Sequence, residues 1–142
     1  MAVAGADLDA VVPSADASPG TLRTAMDAGC AFLVDASGCD PERLRSRDTL
    51  VAVFAACVRE LGLHRVAPPV WHAFPGPGGW TGFLVLGESH LACHTFPERG
   101  FAAFDLYCCR PLGPWPWAER LRDALGATRV TVREVPRGEA AR

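Results

Sequence analysis

Between Gly87 and Glu98 the chain carries two carboxylates (Glu88, Glu98), a serine (Ser89), two histidines (His90, His94) and a thiol (Cys93) within twelve residues. Such side chains serve as nucleophiles, proton carriers and hydrogen-bond acceptors. The apolar run Phe83 to Leu86 leads in, and Phe101 to Phe104 follows a turn at Pro97 to Gly100. Polar chemistry is therefore set between two apolar strands. Successive side chains of a strand point to opposite faces, so Ser89 and His90 form no nucleophile and base pair, and His90 is read as a structural or surface histidine. His94, five residues beyond Ser89, also falls on the opposite face unless a turn or bulge intervenes.

The elements that must position this stretch follow from pattern. Cys30 to Val34 is an apolar run of strand length stopped by Ser37-Gly38. Asp40 is an expected N-cap with Pro41 at the first helical position, and Leu50, Phe54, Cys57, Val58 and Leu61 recur at helical spacing until Gly62. Residues 65–74 read as a strand entered through prolines, hence an edge strand or one that starts to pair late. A Gly-rich loop (75–79) and a strand from Trp80 to Leu86 complete a hairpin. Ser89 to Phe96 and Phe101 to Cys108 form the next two strands, Ala118 to Leu125 a helix ended by Gly126, and Thr128 to Val135 a last strand. Strands clustered in the middle and bracketed by helices predict an α+β fold, a two-layer sandwich with a mainly antiparallel sheet and helices on one face. Residues 1–28, rich in Ala, Asp, Ser and Pro, are read as a disordered leader, 29–136 as one domain and 137–142 as a tail.

Composition excludes several classes. With 14 basic and 16 acidic residues among 142, and no block of like charge, neither nucleic acid nor an anionic membrane is an expected partner. No apolar run approaches the roughly 20 residues of a membrane span. All the basic residues are arginines; without a lysine amine the chain cannot hold pyridoxal phosphate as a Schiff base. The six cysteines lack paired CxxC spacing and no secretion signal opens the sequence. Reduced thiols, a cytoplasmic location and no metal site are expected.

Glu88-Ser89-His90, His94-Thr95-Phe96-Pro97-Glu98, Gly100 to Ala103, Asp105-Leu106 and Cys109 together resemble the signature of bacterial S-adenosylmethionine decarboxylase proenzymes, the small pyruvoyl-dependent type, over roughly residues 29–136. The resemblance implies self-processing. The Ser89 hydroxyl attacks the Glu88 carbonyl, the acyl group moves from nitrogen to oxygen, and elimination followed by hydrolysis leaves a pyruvoyl group. The products are a β fragment ending at Glu88 and an α fragment starting at the modified Ser89. A ketone made from the chain supplies the electron sink that the missing lysine precludes.

Residue by residue, the resemblance makes His94 the histidine that assists elimination and Thr81 the supporting hydroxyl, in place of the usual serine. Cys109 becomes the thiol that returns a proton to the substrate carbon, with Cys108 turned into the core. Glu98 is the acceptor of ribose hydroxyls and Phe74 the aromatic that faces adenine or the sulfonium. The family pattern is broken at Ala31, Ala73, Phe96, Cys108 and Arg110, where histidine, arginine, tryptophan, threonine and glycine are usual. Processing positions are kept better than pocket positions. The resemblance implies decarboxylation of S-adenosylmethionine for spermidine synthesis by a homodimer whose sites are shared across its interface. Trp71, Trp80, Trp115 and Trp117, many for so small a core, are read as pointing to the same interface. An amino-acid decarboxylase acting on ornithine or arginine, or an inactive homologue serving as a binding partner, are the alternatives.

Overall fold

Alternation of apolar and polar side chains decides which way each strand faces, and in β4 (Ser89–Phe96) it does so residue by residue. Ser89, Leu91, Cys93 and Thr95 are buried, whereas His90, Ala92, His94 and Phe96 are half-exposed. The computed structural model describes residues 29–138; the expected leader, and the tail beyond 138, lie outside the described residues. The other strands are β1 (Gly29–Ser37), β2 (Val70–Ala73), β3 (Trp80–Val85), β5 (Phe101–Cys108) and β6 (Arg129–Arg137). They form one sheet in the order β2-β3-β4-β5-β1-β6, antiparallel at every pairing. Strands β2 to β5 meander, and β1 lies between β5 and β6, so the first and last strands among the described residues are neighbours.

Helices α1 (Pro41–Arg45), α2 (Arg47–Glu60) and α3 (Trp117–Leu125) cover one face. Leu44, Leu50, Phe54, Cys57, Leu121 and Leu125 pack with Leu91, Cys93, Phe104 and Leu106 into a single core. Each fully buried leucine or phenylalanine contributes about 2 kcal/mol by leaving water. The opposite face, carrying Phe83, His90, His94, Ala103 and Tyr107, has no layer over it among the described residues.

The helix expected from Asp40 onward is two helices. Asp40 caps α1 by accepting from the Glu42 amide at 2.9 Å. Ser46 is extended (φ −84°, ψ 105°), closes α1 and caps α2, its hydroxyl accepting from the Thr49 amide at 3.2 Å. The edge position of β2 is as expected, although the strand is shorter than residues 65–74. Pro68 and Pro69 carry no N–H to pair, so the ladder starts at Val70. The loop after β2 closes through Phe74 N–H to the Gly79 carbonyl at 3.0 Å. Gly79 has φ +105° and lies against the Thr95 carbonyl, where a Cβ would collide with backbone.

Two of the four tryptophans read as pointing to an interface belong to the core instead. Trp115 and Trp117 are buried in the core, Trp71 and Trp80 pack against it, and the Trp80 indole donates to the Arg45 carbonyl at 2.8 Å. Three helices on one sheet face offer more cover than residue counting suggested, and an indole N–H that finds an acceptor can be set against that core.

Candidate active site

Two clusters of polar groups lie at opposite ends of β4. At its start the chain turns from β3: the Leu86 amide donates to the Ser89 carbonyl and the Gly87 amide to the His64 carbonyl, both at 2.9 Å. The Glu88 carbonyl, one half of the expected cut peptide, accepts from the Cys109 amide at 2.8 Å. That bond exists because β4 and β5 pair Ser89 with Cys108, which sets Cys109 one step beyond the ladder, beside Glu88. Ser89 is 8% exposed, and its Oγ is buried without a hydrogen-bond partner. It lines a cavity of about 50 Å³ with Leu63, His64, Gly87, Glu88 and Arg110. An orphaned buried hydroxyl is uncommon, because its lost hydration goes uncompensated. Arg110 places Nε 2.6 Å from Oε2 of Glu88; the N–H is not aligned for a hydrogen bond, so the contact is ionic.

The neighbouring thiols differ in environment. Cys108 is buried and Cys109 half-exposed, the parity expected of adjacent residues at a strand end. Burial pushes the Cys93 thiol up to about 12, and it also raises Cys108. The Tyr107 hydroxyl is held above its usual range, first by a hydrogen bond with Cys109. Tyr107 also stacks on His90 at 5.4 Å, and His90 on Phe83 at 5.6 Å, which gives His90 the structural place foreseen for it.

At the far end of β4, Thr81 and His94 face each other across the β3–β4 pairing, and Thr81 Oγ1 lies 2.9 Å from His94 Nδ1. Phe74 stacks on Phe96 at 6.2 Å and Phe96 on Phe101 at 6.1 Å, with the Arg99 guanidinium 5.7 Å and 5.4 Å from the latter two rings. Glu98 is exposed in the short 3-10 turn Pro97–Arg99 that follows. Behind it Thr95 is fully buried, its Oγ1 donating to the Leu44 carbonyl and accepting from the Trp80 amide, each at 2.9 Å. Those bonds tie this end of the strand to α1.

The fold thus groups Glu88, Ser89 and Cys109, and separately Thr81, His94, Phe74 and Phe96 with Glu98 nearby. It does not join the groups. Five steps of strand span about 16 Å at roughly 3.3 Å per residue, and Ser89 faces the helices while His94 faces the open side. Sequence reasoning passed over Leu63 and His64 beside the cut peptide, and marked its charged neighbour Arg110 only as a departure. Its charge, opposite to that of Glu88 and one residue after Cys109, was the available signal.

Comparison with known proteins bears on this arrangement. The family model described as S-adenosylmethionine decarboxylase matches residues 31–138. Similar relatives include the S-adenosylmethionine decarboxylase proenzymes of Geobacillus sp. (strain WCH70), 38% identical over 109 residues (71% of this chain and 80% of the relative), and of Acetivibrio thermocellus, 35% identical over 111 residues (78% and 88%). The proenzyme of Thermococcus onnurineus is 33% identical over 111 residues (78% and 77%).

Proposed function

The chain belongs to the S-adenosylmethionine decarboxylase family, and from that premise we propose that it is a self-processing, pyruvoyl-dependent S-adenosylmethionine decarboxylase that supplies spermidine synthesis in the cytoplasm. The observation that carries the processing step is the Ser89 hydroxyl, buried and unpartnered, next to a Glu88 carbonyl already gripped by the Cys109 amide at 2.8 Å. A nucleophile without a competing hydrogen bond and a carbonyl with a donor on its oxygen both favour an N-to-O acyl shift. In that shift Ser89 Oγ bonds to the Glu88 carbonyl carbon, the C–N bond breaks, and the hydroxyl proton ends on the freed Ser89 nitrogen. A carboxylate is the later leaving group, and the new chain ends are Glu88 and the residue derived from Ser89.

The residues present fit a pyruvoyl group at position 89. That group supplies an electron sink for the charge left as carbon dioxide departs from a bound amine. The chain's own residues do the rest. The Cys109 thiol, half-exposed beside the cut, donates the proton that replaces the lost carboxylate on the substrate carbon. His94 moves a proton at its Nε2 while Nδ1 is held by Thr81. Glu98 accepts from the ribose hydroxyls, and the Phe74 and Phe96 rings stack with adenine or face the sulfonium.

The reading also includes a homodimer, supported by the separation of the two clusters. One chain cannot bring His94 to the cut peptide, whereas two copies packed open face to open face can bring the His94 end of one to the half-exposed Cys109 and Glu88 end of the other. Exposed Val70 (70%), Phe83 (42%), Val85 (46%) and Val135 (39%) give that face an apolar surface to bury.

Intact mass of the purified chain, then carbon dioxide release from S-adenosylmethionine, ornithine and arginine side by side, tests the proposal. Two fragments meeting between Glu88 and Ser89, abolished by Ser89→Ala, and release from S-adenosylmethionine are expected. A chain that stays whole sinks the processing reading, and release from an amino acid alone sinks the substrate.

A further inference from the structure

We infer that Arg110 is a positioning residue for the self-cleavage: its guanidinium offsets the Glu88 carboxylate, so that negative charge can develop on the Glu88 carbonyl oxygen. The inference rests on the processing reading above. Several contacts converge on this one peptide. Arg110 Nε lies 2.6 Å from Glu88 Oε2, the adjoining Cys109 amide donates to the Glu88 carbonyl at 2.8 Å, and Arg110 lines the same small cavity as the unpartnered Ser89 Oγ. Cys109 and Arg110 are consecutive, so the end of β5 that grips the carbonyl also delivers the cation.

The chemistry explains why a cation is useful there. When Ser89 Oγ adds to the carbonyl carbon, a C–O bond forms, the π pair moves to the carbonyl oxygen, and the hydroxyl proton passes to the Ser89 nitrogen, which keeps it when the C–N bond breaks. The new oxyanion belongs to the residue that already bears a carboxylate, so two like charges come close together within Glu88. The Cys109 N–H stabilises the oxyanion by a partial charge but does nothing for the carboxylate. A guanidinium in ionic contact with the carboxylate cancels most of that repulsion and adds attraction for the oxyanion. Glycine, usual at this position in the family pattern, has no side chain to do this, so the cation is a property of this chain. Both partners are about two-fifths exposed (39% and 40%). Water and salt therefore screen the pair, and the effect is modest, about two- to fivefold in cleavage rate at low salt.

The test is the rate at which the full-length chain cleaves, followed by intact mass at low and at high salt. Arg110→Gln is expected to cleave about two- to fivefold more slowly than the unaltered chain at low salt, with the difference fading at high salt. The double variant Glu88→Gln/Arg110→Gln is expected to regain the original rate, because the like charge has gone. An Arg110→Gln chain that cleaves at the unaltered rate in low salt overturns the inference. So does a double variant as slow as Arg110→Gln, which would reduce Arg110 to a scaffold residue. Melting temperatures of the uncleavable Ser89→Ala and Ser89→Ala/Arg110→Gln chains are expected to agree. Should they differ, Arg110→Lys decides, since a retained charge must keep cleavage near the unaltered rate, and a lysine variant as slow as the glutamine one rejects the role. An unaltered chain that never cleaves defeats the processing reading itself, whereas normal cleavage with indifferent Arg110 variants defeats this inference alone.

Discussion

His94 acquires its chemical character from one contact, the 2.9 Å approach of Thr81 Oγ1 to Nδ1. In the tautomer in which Nδ1–H donates to the hydroxyl, Nε2 carries the free lone pair that a proton-abstracting base needs; without that partner the imidazole samples more ring orientations. Threonine keeps the hydroxyl while its methyl group stiffens the side chain on a β-strand, where a branched residue is at home. Thr81→Val preserves that shape and deletes the partner. Cleavage is expected to slow about fivefold, the equivalent of one ordinary hydrogen bond of roughly 1 kcal/mol, while Thr81→Ser stays near the original rate. The half-time of fragment appearance by intact mass checks both; a valine variant as fast as the parent removes Thr81 from the processing machinery.

At the scale of elements, the end of β5 decides which thiol the solvent meets. The ladder buries Cys108 opposite Ser89 and leaves Cys109 half-exposed one step later. Cys57 and Cys93, each pushed up to about 12 by burial, stay protonated at every pH at which the protein is handled, and thiols rather than thiolates are poor nucleophiles. Iodoacetamide at mildly alkaline pH is therefore expected to modify the native chain once, at Cys109, as located by peptide mass. Rapid modification of Cys93 or Cys108 before unfolding would contradict the assigned strand parity. That parity was legible in the sequence because a strand has a period of two: Ser89 and His94 on opposite faces, and Cys108 and Cys109 divided with Cys108 in the core, were foreseen. The strand meander, the helix on one face and the edge position of β2 followed from equally local signals. What escaped depends on longer-range geometry. The break at Ser46 replaces one helix by two because a serine hydroxyl caps the second, a competition that apolar spacing does not register. The insertion of β1 between β5 and β6, and the meeting of Glu88 with Arg110, depend on which strands pair and in which register, and no local pattern encodes that.

Over the whole molecule, the division of the site is the fact that most constrains function. Ser89 and His94 occupy one uninterrupted strand on opposite faces, and bending β4 enough to join them would break the ladder to both β3 and β5. A second copy is the less costly solution, since burying the apolar side chains of the open face is favourable and strands need not unpair. Phe83, 42% exposed and stacked on His90 at 5.6 Å, sits in that face. Phe83→Arg should place like charges against each other across a two-fold interface and shift the protein from dimer to monomer by sedimentation or light scattering. Cleavage should slow with it if, as proposed, the histidine comes from the other chain. Mixing resolves the direction of that contribution. A His94→Ala chain alone retains Ser89 but lacks the proposed base, and a Ser89→Ala chain retains that histidine but lacks the nucleophile. Co-expressed, they should form mixed dimers in which the His94→Ala chain, identified by its mass, is cleaved. If the mixture stays uncut while Phe83→Arg monomers process at the ordinary rate, His94 does not act across an interface and the site must assemble within one chain.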